Sequence, residues 1–115
     1  MKQAVTLTVY PTKDMAKAKA IYTKLLGIEP YADMPYYVGY RLGDQEIGLA
    51  LSKDPAGTGV LSYFDVPDVK AELQTLVSAG ATVKQDAHDV GGGLLVALVT
   101  DADGNTFGLR ENKNA

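Results

Sequence analysis

Two stretches of this chain repeat one plan sixty residues apart, and that repetition limits the folds open to it more than any other feature. Asp103-Gly104 is a tight-turn dipeptide: Gly accepts positive φ at no steric cost, and Asp can bond the backbone beyond it. The alternating run that follows points Phe107 and Leu109 one way, and Thr106, Gly108 and Arg110 the other. Residues 43–51 carry the same plan, with Ile47, Leu49 and Leu51 on one side and Glu46, Gly48 and Ala50 on the other. Gly-Leu stands at the same place in both copies, at 48–49 and 108–109.

The repetition extends upstream. Asp14 and Asp68 each sit where an N-cap would satisfy the first free N–H groups of a helical pattern. The two patterns stop at Gly27 and Gly80, the usual residue type just past a helix end. A run of strand type precedes each, at residues 4–10 and 60–66. The chain therefore reads as two copies of strand, helix, strand, strand, strand: modules 1–52 and 60–111 of a single domain spanning 1–115.

Composition removes several function classes. The chain is 46% hydrophobic and 22% charged, values of a globular protein rather than a disordered one. A net charge of −3 with scattered Lys and Arg gives no support for a nucleic-acid partner or an anionic membrane surface. Without Cys there is no disulfide framework, thiolate zinc site or cysteine nucleophile. Residues 1–5 run straight into a strand pattern and no apolar run is long enough to cross a bilayer, so a cytoplasmic protein is expected.

The first helix, at about 14–26, is expected to place Met15, Ala18, Ile21, Tyr22, Leu25 and Leu26 on one face. The second is expected to bury Val69, Leu73, Leu76 and Val77. Residues 36–42 alternate, with Val38, Tyr40 and Leu42 opposite Tyr37, Gly39 and Arg41. Residues 52–59 read as a polar linker, 89–93 as a Gly-rich hairpin turn, 94–100 as the most apolar strand and 112–115 as a frayed tail.

These motifs together resemble the vicinal oxygen chelate superfamily, also called the glyoxalase / bleomycin-resistance / extradiol dioxygenase family. Asp14, Ala18-Lys19-Ala20-Ile21-Tyr22 and Leu25-Leu26-Gly27 are similar to its first helix. Val66-Pro67-Asp68 leading to Ala79-Gly80-Ala81 resembles the second, and residues 101–109 resemble its closing segment. The resemblance implies an α+β fold of two βαβββ modules whose curved mixed sheets form a cup, usually completed in a homodimer. It also implies one divalent metal, held by a ligand from the first and fourth strand of each module. Lyases, isomerases, dioxygenases, thiol transferases and drug-sequestering proteins all share that fold, so the fold alone leaves function open.

Carried over residue by residue, the four ligand positions fall on Leu7, Gly48, Leu61 and Gly108. None has a side chain that can ligate, and the neighbours Thr6, Thr8, Val60 and Ser62 are weak substitutes. The expectation is a protein without the family metal and without a cofactor.

Other signals are weaker. The single histidine, His88, next to Asp89, could be an oriented general base, but adjacent strand residues point to opposite faces and a solvated hairpin residue is preferred. Gly91-Gly92-Gly93 precedes a strand rather than a helix, which suits a hairpin better than a phosphate loop. Seven Tyr against two Phe and no Trp suit a pocket wall that is apolar but carries hydroxyls. On the face bearing Gly48 and Gly108, alternation places the candidate ligand-binding residues Tyr37, Arg41, Glu46, Tyr63, Asp65 and Arg110, with Val9, Leu95, Ala97 and Val99 beside them.

The reading favoured is a metal-free module that sequesters or senses a small planar molecule. The alternative is a metal-independent lyase or isomerase with Glu46 or Asp65 as base and Arg41 or Arg110 at an oxyanion. A structural protein whose cup fills with side chains is the third.

Overall fold

A computed structural model describes residues 4–113. The fold is α+β, with the elements β1 (Ala4–Thr12), α1 (Met15–Leu26), β2 (Ala32–Asp33), β3 (Tyr37–Leu42), β4 (Gln45–Leu51), α2 (Pro55–Thr58), β5 (Leu61–Asp65), α3 (Val69–Ser78), β6 (Thr82–Asp89), β7 (Leu94–Thr100) and β8 (Thr106–Asn112). The chain separates into two compact units, Thr6–Leu61 and a second that begins at Ser62 and takes in Ala4 and Val5.

In the first unit the strand order is β2-β3-β4-β1, antiparallel except for the parallel β4–β1 pair. Asp14 caps α1 by accepting the Lys17 N–H at 3.1 Å, and Gly27 closes it at φ 70°, where a side chain would be strained. Val38, Tyr40 and Leu49 form the core, with Tyr10, Met15, Ala18, Tyr22, Leu26, Ile28 and Ile47 packed on them. Tyr40 is fully buried because its hydroxyl is satisfied, sharing a hydrogen bond with the Thr23 hydroxyl at 2.8 Å.

Two residues expected on the covered side of α1 are exposed: Ile21 by 64% and Leu25 by 72%. Met15, Ala18, Tyr22 and Leu26 take the flank of α1 that packs on the core, and Ile21 and Leu25 fall on the flank that stays wet. Residues 52–59 hold α2, capped by Asp54 and tied by the Ser52 and Thr58 hydroxyls at 2.9 Å, where only a linker was expected.

The second unit orders its strands β5-β8-β7-β6, again with one parallel pair, β5–β8. Asp68 caps α3 through the Ala71 N–H at 3.1 Å. Val69 and Leu73 of α3 are buried against Val66, Leu95, Ala97, Val99 and Leu109, and Leu76 packs beside them. Val77, expected in this core, is 50% exposed, one position off the buried stripe. Glu111 of β8 reaches the start of α3, accepting the Val69 N–H at 2.9 Å.

The β7–β8 turn is organised by Asp101, whose carboxylate accepts the N–H groups of Asp103 and Asn105 at 2.9 Å and the Asn105 amide at 3.0 Å. Those bonds, led by the one from the Asn105 side chain, hold its carboxyl below the usual range. Asn112 lies within β8, and Lys113 donates its N–H to Gly93 O at 2.8 Å, so the expected fraying does not begin at 112. Residues 114 and 115 of that expected tail lie outside the described residues. No helix among the described residues is long and apolar enough to cross a membrane.

Candidate functional site: tyrosine rings over glycines

The sheet face away from the helix in each unit is read from strand register. In the first unit Leu7 pairs with Glu46 and Val9 with Gly48, while Gly39 pairs with Gly48 and Arg41 with Glu46. Directly paired residues share a face, so Val9, Tyr37, Gly39, Arg41, Glu46 and Gly48 lie together, as alternation predicts. In the second unit Tyr63 pairs with Gly108 and Asp65 with Arg110.

Each glycine on these faces carries a tyrosine ring. A Cβ built on Gly48 would lie 2.9 Å from Tyr37 Cζ and closer still to its hydroxyl oxygen. On Gly108 it would lie 2.8 Å from Tyr63 Cγ and would overlap the ring edge, and on Gly39 it would lie 3.0 Å from Tyr31 Cε2. Neither Gly48 nor Gly108 has positive φ, so space rather than backbone conformation demands glycine there.

Around Gly39 the first unit assembles a polar cluster. The Tyr31 hydroxyl donates to Glu46 Oε1 at 2.7 Å, and the Arg41 guanidinium carbon stands 3.9 Å from the centre of the Tyr31 ring. Burial first, and the Glu46 hydrogen bond second, push the Tyr31 phenol up to about 12. Arg41 and Glu46 thus meet through a residue that the sequence reading passed over, because Tyr31 falls in an irregular segment flanked by prolines.

In the second unit Arg110 lies against Asp65, with Nε to Oδ1 at 2.8 Å and Nη2 to Oδ2 at 3.4 Å. The Arg110 side chain is 12% exposed and that of Asp65 40%, so the guanidinium is held down while the carboxylate keeps contact with water. Burial raises the Tyr63 phenol, opposed in part by the nearby Arg110 charge. Tyr63, Asp65 and Arg110 form one group in this unit; Tyr37, Arg41 and Glu46 belong to the other.

Val9 apart, the apolar neighbours are not those expected. Leu98, not Ala97, pairs with Gly108, and Val96 pairs with Arg110. Leu95, Ala97 and Val99 belong instead to the core under α3, and Leu94, Val96 and Leu98 form the half-buried floor beside Tyr63. A continuous apolar run carries no period from which a face can be chosen, so only its pairing settles the matter.

His88 pairs with Val96 and so shares that face, its Nδ1 3.2 Å from Asp86 O. Asp89 does not orient it, but accepts from the Gly91 N–H at 2.7 Å and faces Lys113 Nζ at 3.8 Å. Gly91, Gly92 and Gly93 all have positive φ in the β6–β7 connection.

The chemistry of these faces does not fit a divalent metal. The positions assigned to ligands are Leu7, Gly48, Leu61 and Gly108; the leucines are buried hydrocarbon and the glycines lie beneath phenol rings. Among the described residues no group of three or more His, Cys, Asp or Glu side chains could hold an ion.

Comparison with known proteins gives a consistent placement. Residues 4–109 match the Glyoxalase/Bleomycin resistance protein/Dioxygenase superfamily. The chain is similar to a solved member of that superfamily from Vibrio splendidus 12B01, at 18% identity and TM-score 0.72, over 96% of this chain and 99% of that one. It is also similar to a hypothetical protein from Bacillus halodurans C-125, at 14% identity and TM-score 0.78, over 96% and 95% of the two chains. A third likeness is to methylmalonyl-CoA epimerase from Mycobacterium tuberculosis, at 16% identity and TM-score 0.76, over 93% and 86%. Likenesses at such identities speak for the fold alone. No functionally curated protein matches the chain.

Proposed function

This chain belongs to the glyoxalase/bleomycin resistance protein/dioxygenase superfamily, and from that premise we propose that it is a metal-free module binding a small planar molecule on a tyrosine-bearing sheet face. The observation that carries the reading is the placement of the Tyr37 and Tyr63 rings over Gly48 and Gly108. Where the family resemblance calls for ligating side chains, this protein presents aromatic surface. On the second unit's face, a planar ligand would stack on Tyr63 above Leu94, Val96 and Leu98, with an acidic or carbonyl oxygen accepting from Arg110.

The carboxylates proposed as bases are already engaged. Glu46 accepts from the Tyr31 hydroxyl and Asp65 is held by Arg110, which favours binding over the lyase or isomerase reading. The same proposal takes the protein as a homodimer and as a duplicated pair of modules, the latter supported by the matching parallel pairs Val9–Gly48 and Tyr63–Gly108.

A screen of planar acids by NMR on the full chain tests the binding reading. Hits are expected to shift residues of β5 and β8, and Tyr63→Ala should weaken them about tenfold, the worth of a stacked ring, without unfolding the chain. Hits unaffected by both Tyr63→Ala and Arg110→Gln would exclude this face. Light scattering at tens of micromolar should give the mass of a dimer, and a monomer mass would remove that part of the proposal.

A further inference from the structure

The helix side of the first unit carries a recess of a different kind. A groove of about 580 Å³ opens beside α1, with the ends of β1 and β4 and the α2 segment as its other walls. Tyr10, Ile21, Tyr22 and Val60 supply much of its apolar surface, and Asp14 and Lys17 belong to its lining. Its volume is in the range of pockets that take drug-sized molecules, about 300–1,000 Å³.

Three features point to an amphiphilic anion. Ile21 and Val60 are exposed hydrocarbon within this concave surface, although α1 covers its other flank in the core. The Tyr10 and Tyr22 rings lie 5.3 Å apart at a tilt of 37°, and among the described residues neither hydroxyl has a hydrogen-bond partner, unlike those of Tyr31 and Tyr40. The local charge is positive in effect. The Asp14 carboxylate is turned to the first turn of α1, whereas Lys17 makes no ion pair among the described residues, and Lys13 and Lys53, close by in sequence to the groove's Thr12, Asp14 and Pro55, line a second recess with Ser52.

We propose that this groove binds an arylalkyl carboxylate, its apolar body against Tyr10, Tyr22, Ile21 and Val60 and its carboxylate at Lys17. The site is separate from the tyrosine-over-glycine face and does not depend on it. Apolar burial supplies most of the affinity, the tyrosine hydroxyls set the depth of the head group, and Lys17 selects its charge.

The test is an NMR titration of the labelled full chain with 4-phenylbutyrate and, separately, with the neutral 4-phenyl-1-butanol. Saturable shifts are expected within residues 10–22 and 55–60, with the acid binding about two- to fivefold tighter than the alcohol, the worth of a partly exposed ion pair. Lys17→Gln should bring the acid down to the alcohol's affinity and leave the alcohol unchanged. Absence of saturable shifts there, equal affinities in the wild type, or an acid preference that survives Lys17→Gln would each overturn the proposal. Tyr63→Ala should leave these shifts intact; their loss in that variant would place the probe on the other face and overturn it too.

Discussion

Glu111 accepts the backbone N–H of Val69 at 2.9 Å across 42 residues of sequence, while its neighbour Arg110 grips Asp65 on the other side of the same strand. Two consecutive residues at the end of β8 thus fasten α3 beneath the sheet and the polar group above it. Val69 is the first residue of α3 and fully buried, so its N–H would otherwise be an unmet donor at a helix start.

Glu111→Ala is expected to destabilise the protein by about 1 kcal/mol, typical of a lost helix cap. Glu111→Gln keeps a carbonyl acceptor and should recover most of that loss. Urea denaturation midpoints measure both, and equal midpoints for Glu111→Ala and the wild type would show that the bond contributes nothing.

Gly108→Ala should cost about 1–3 kcal/mol, as overpacked sites do, and Gly48→Ala less, because its Cβ meets the far end of the Tyr37 side chain, which can swing away. The reason is collision with Tyr63 or Tyr37 rather than backbone strain, so the losses should not be additive with removal of the ring. In a double-mutant cycle, Tyr63→Ala is expected to rescue Gly108→Ala. Additive losses would mean that the cost of the added Cβ does not come from the ring.

Alkaline pH should weaken the fold, and the sign follows from the tyrosines. Tyr31 ionises at about 12 in the folded chain against an ordinary 10.0, and Tyr63 is also raised. Below pH 10 both states keep these protons and the stabilisation is fully present; between 10 and about 12 the unfolded chain loses a proton that the folded chain retains, so stability falls. The urea midpoint of Tyr31→Phe should therefore decline less steeply over that window than the wild type's. Parallel slopes would contradict the assignment, as would a tyrosinate absorbance titration that keeps its latest step in the variant.

Protein purified without an affinity tag should carry far less than one zinc, nickel, iron or manganese per chain by elemental analysis. Adding those ions should leave the melting temperature unchanged, because only a ligand that prefers the folded state raises it. A stoichiometric ion, or a rise in melting temperature, would overturn the reading of Leu7, Gly48, Leu61 and Gly108.

What could be read in the sequence was what local chemistry decides. Asp14 and Asp68 are caps because a carboxylate before a helical stripe has few better uses, and both accept the expected N–H groups. In β8, Gly108 and Arg110 alternate with Phe107 and Leu109, and the pairing follows that pattern. What escaped was decided by distant partners. The face of Leu95, Ala97 and Val99 depends on where β7 meets β8, and the place of Tyr31 depends on Gly39 and Glu46. Ile21, Leu25 and Val77 are apolar residues of helical segments, yet all three are exposed, because which flank of a helix is covered depends on how it seats on its sheet.

The Asp101 turn has a bearing on the order in which the second unit can come together. Its bonds are all made within five residues, so the β7–β8 hairpin can close locally, on the microsecond scale of isolated hairpins. The Arg110–Asp65 contact spans 45 residues, and a parallel neighbour for β8 requires α3 and β6 to be crossed first. Gly108 is therefore expected to stand in a formed hairpin before Tyr63 arrives. On that basis the tyrosine-over-glycine face is expected to be a late product of folding, completed when the ring settles on a strand already in place.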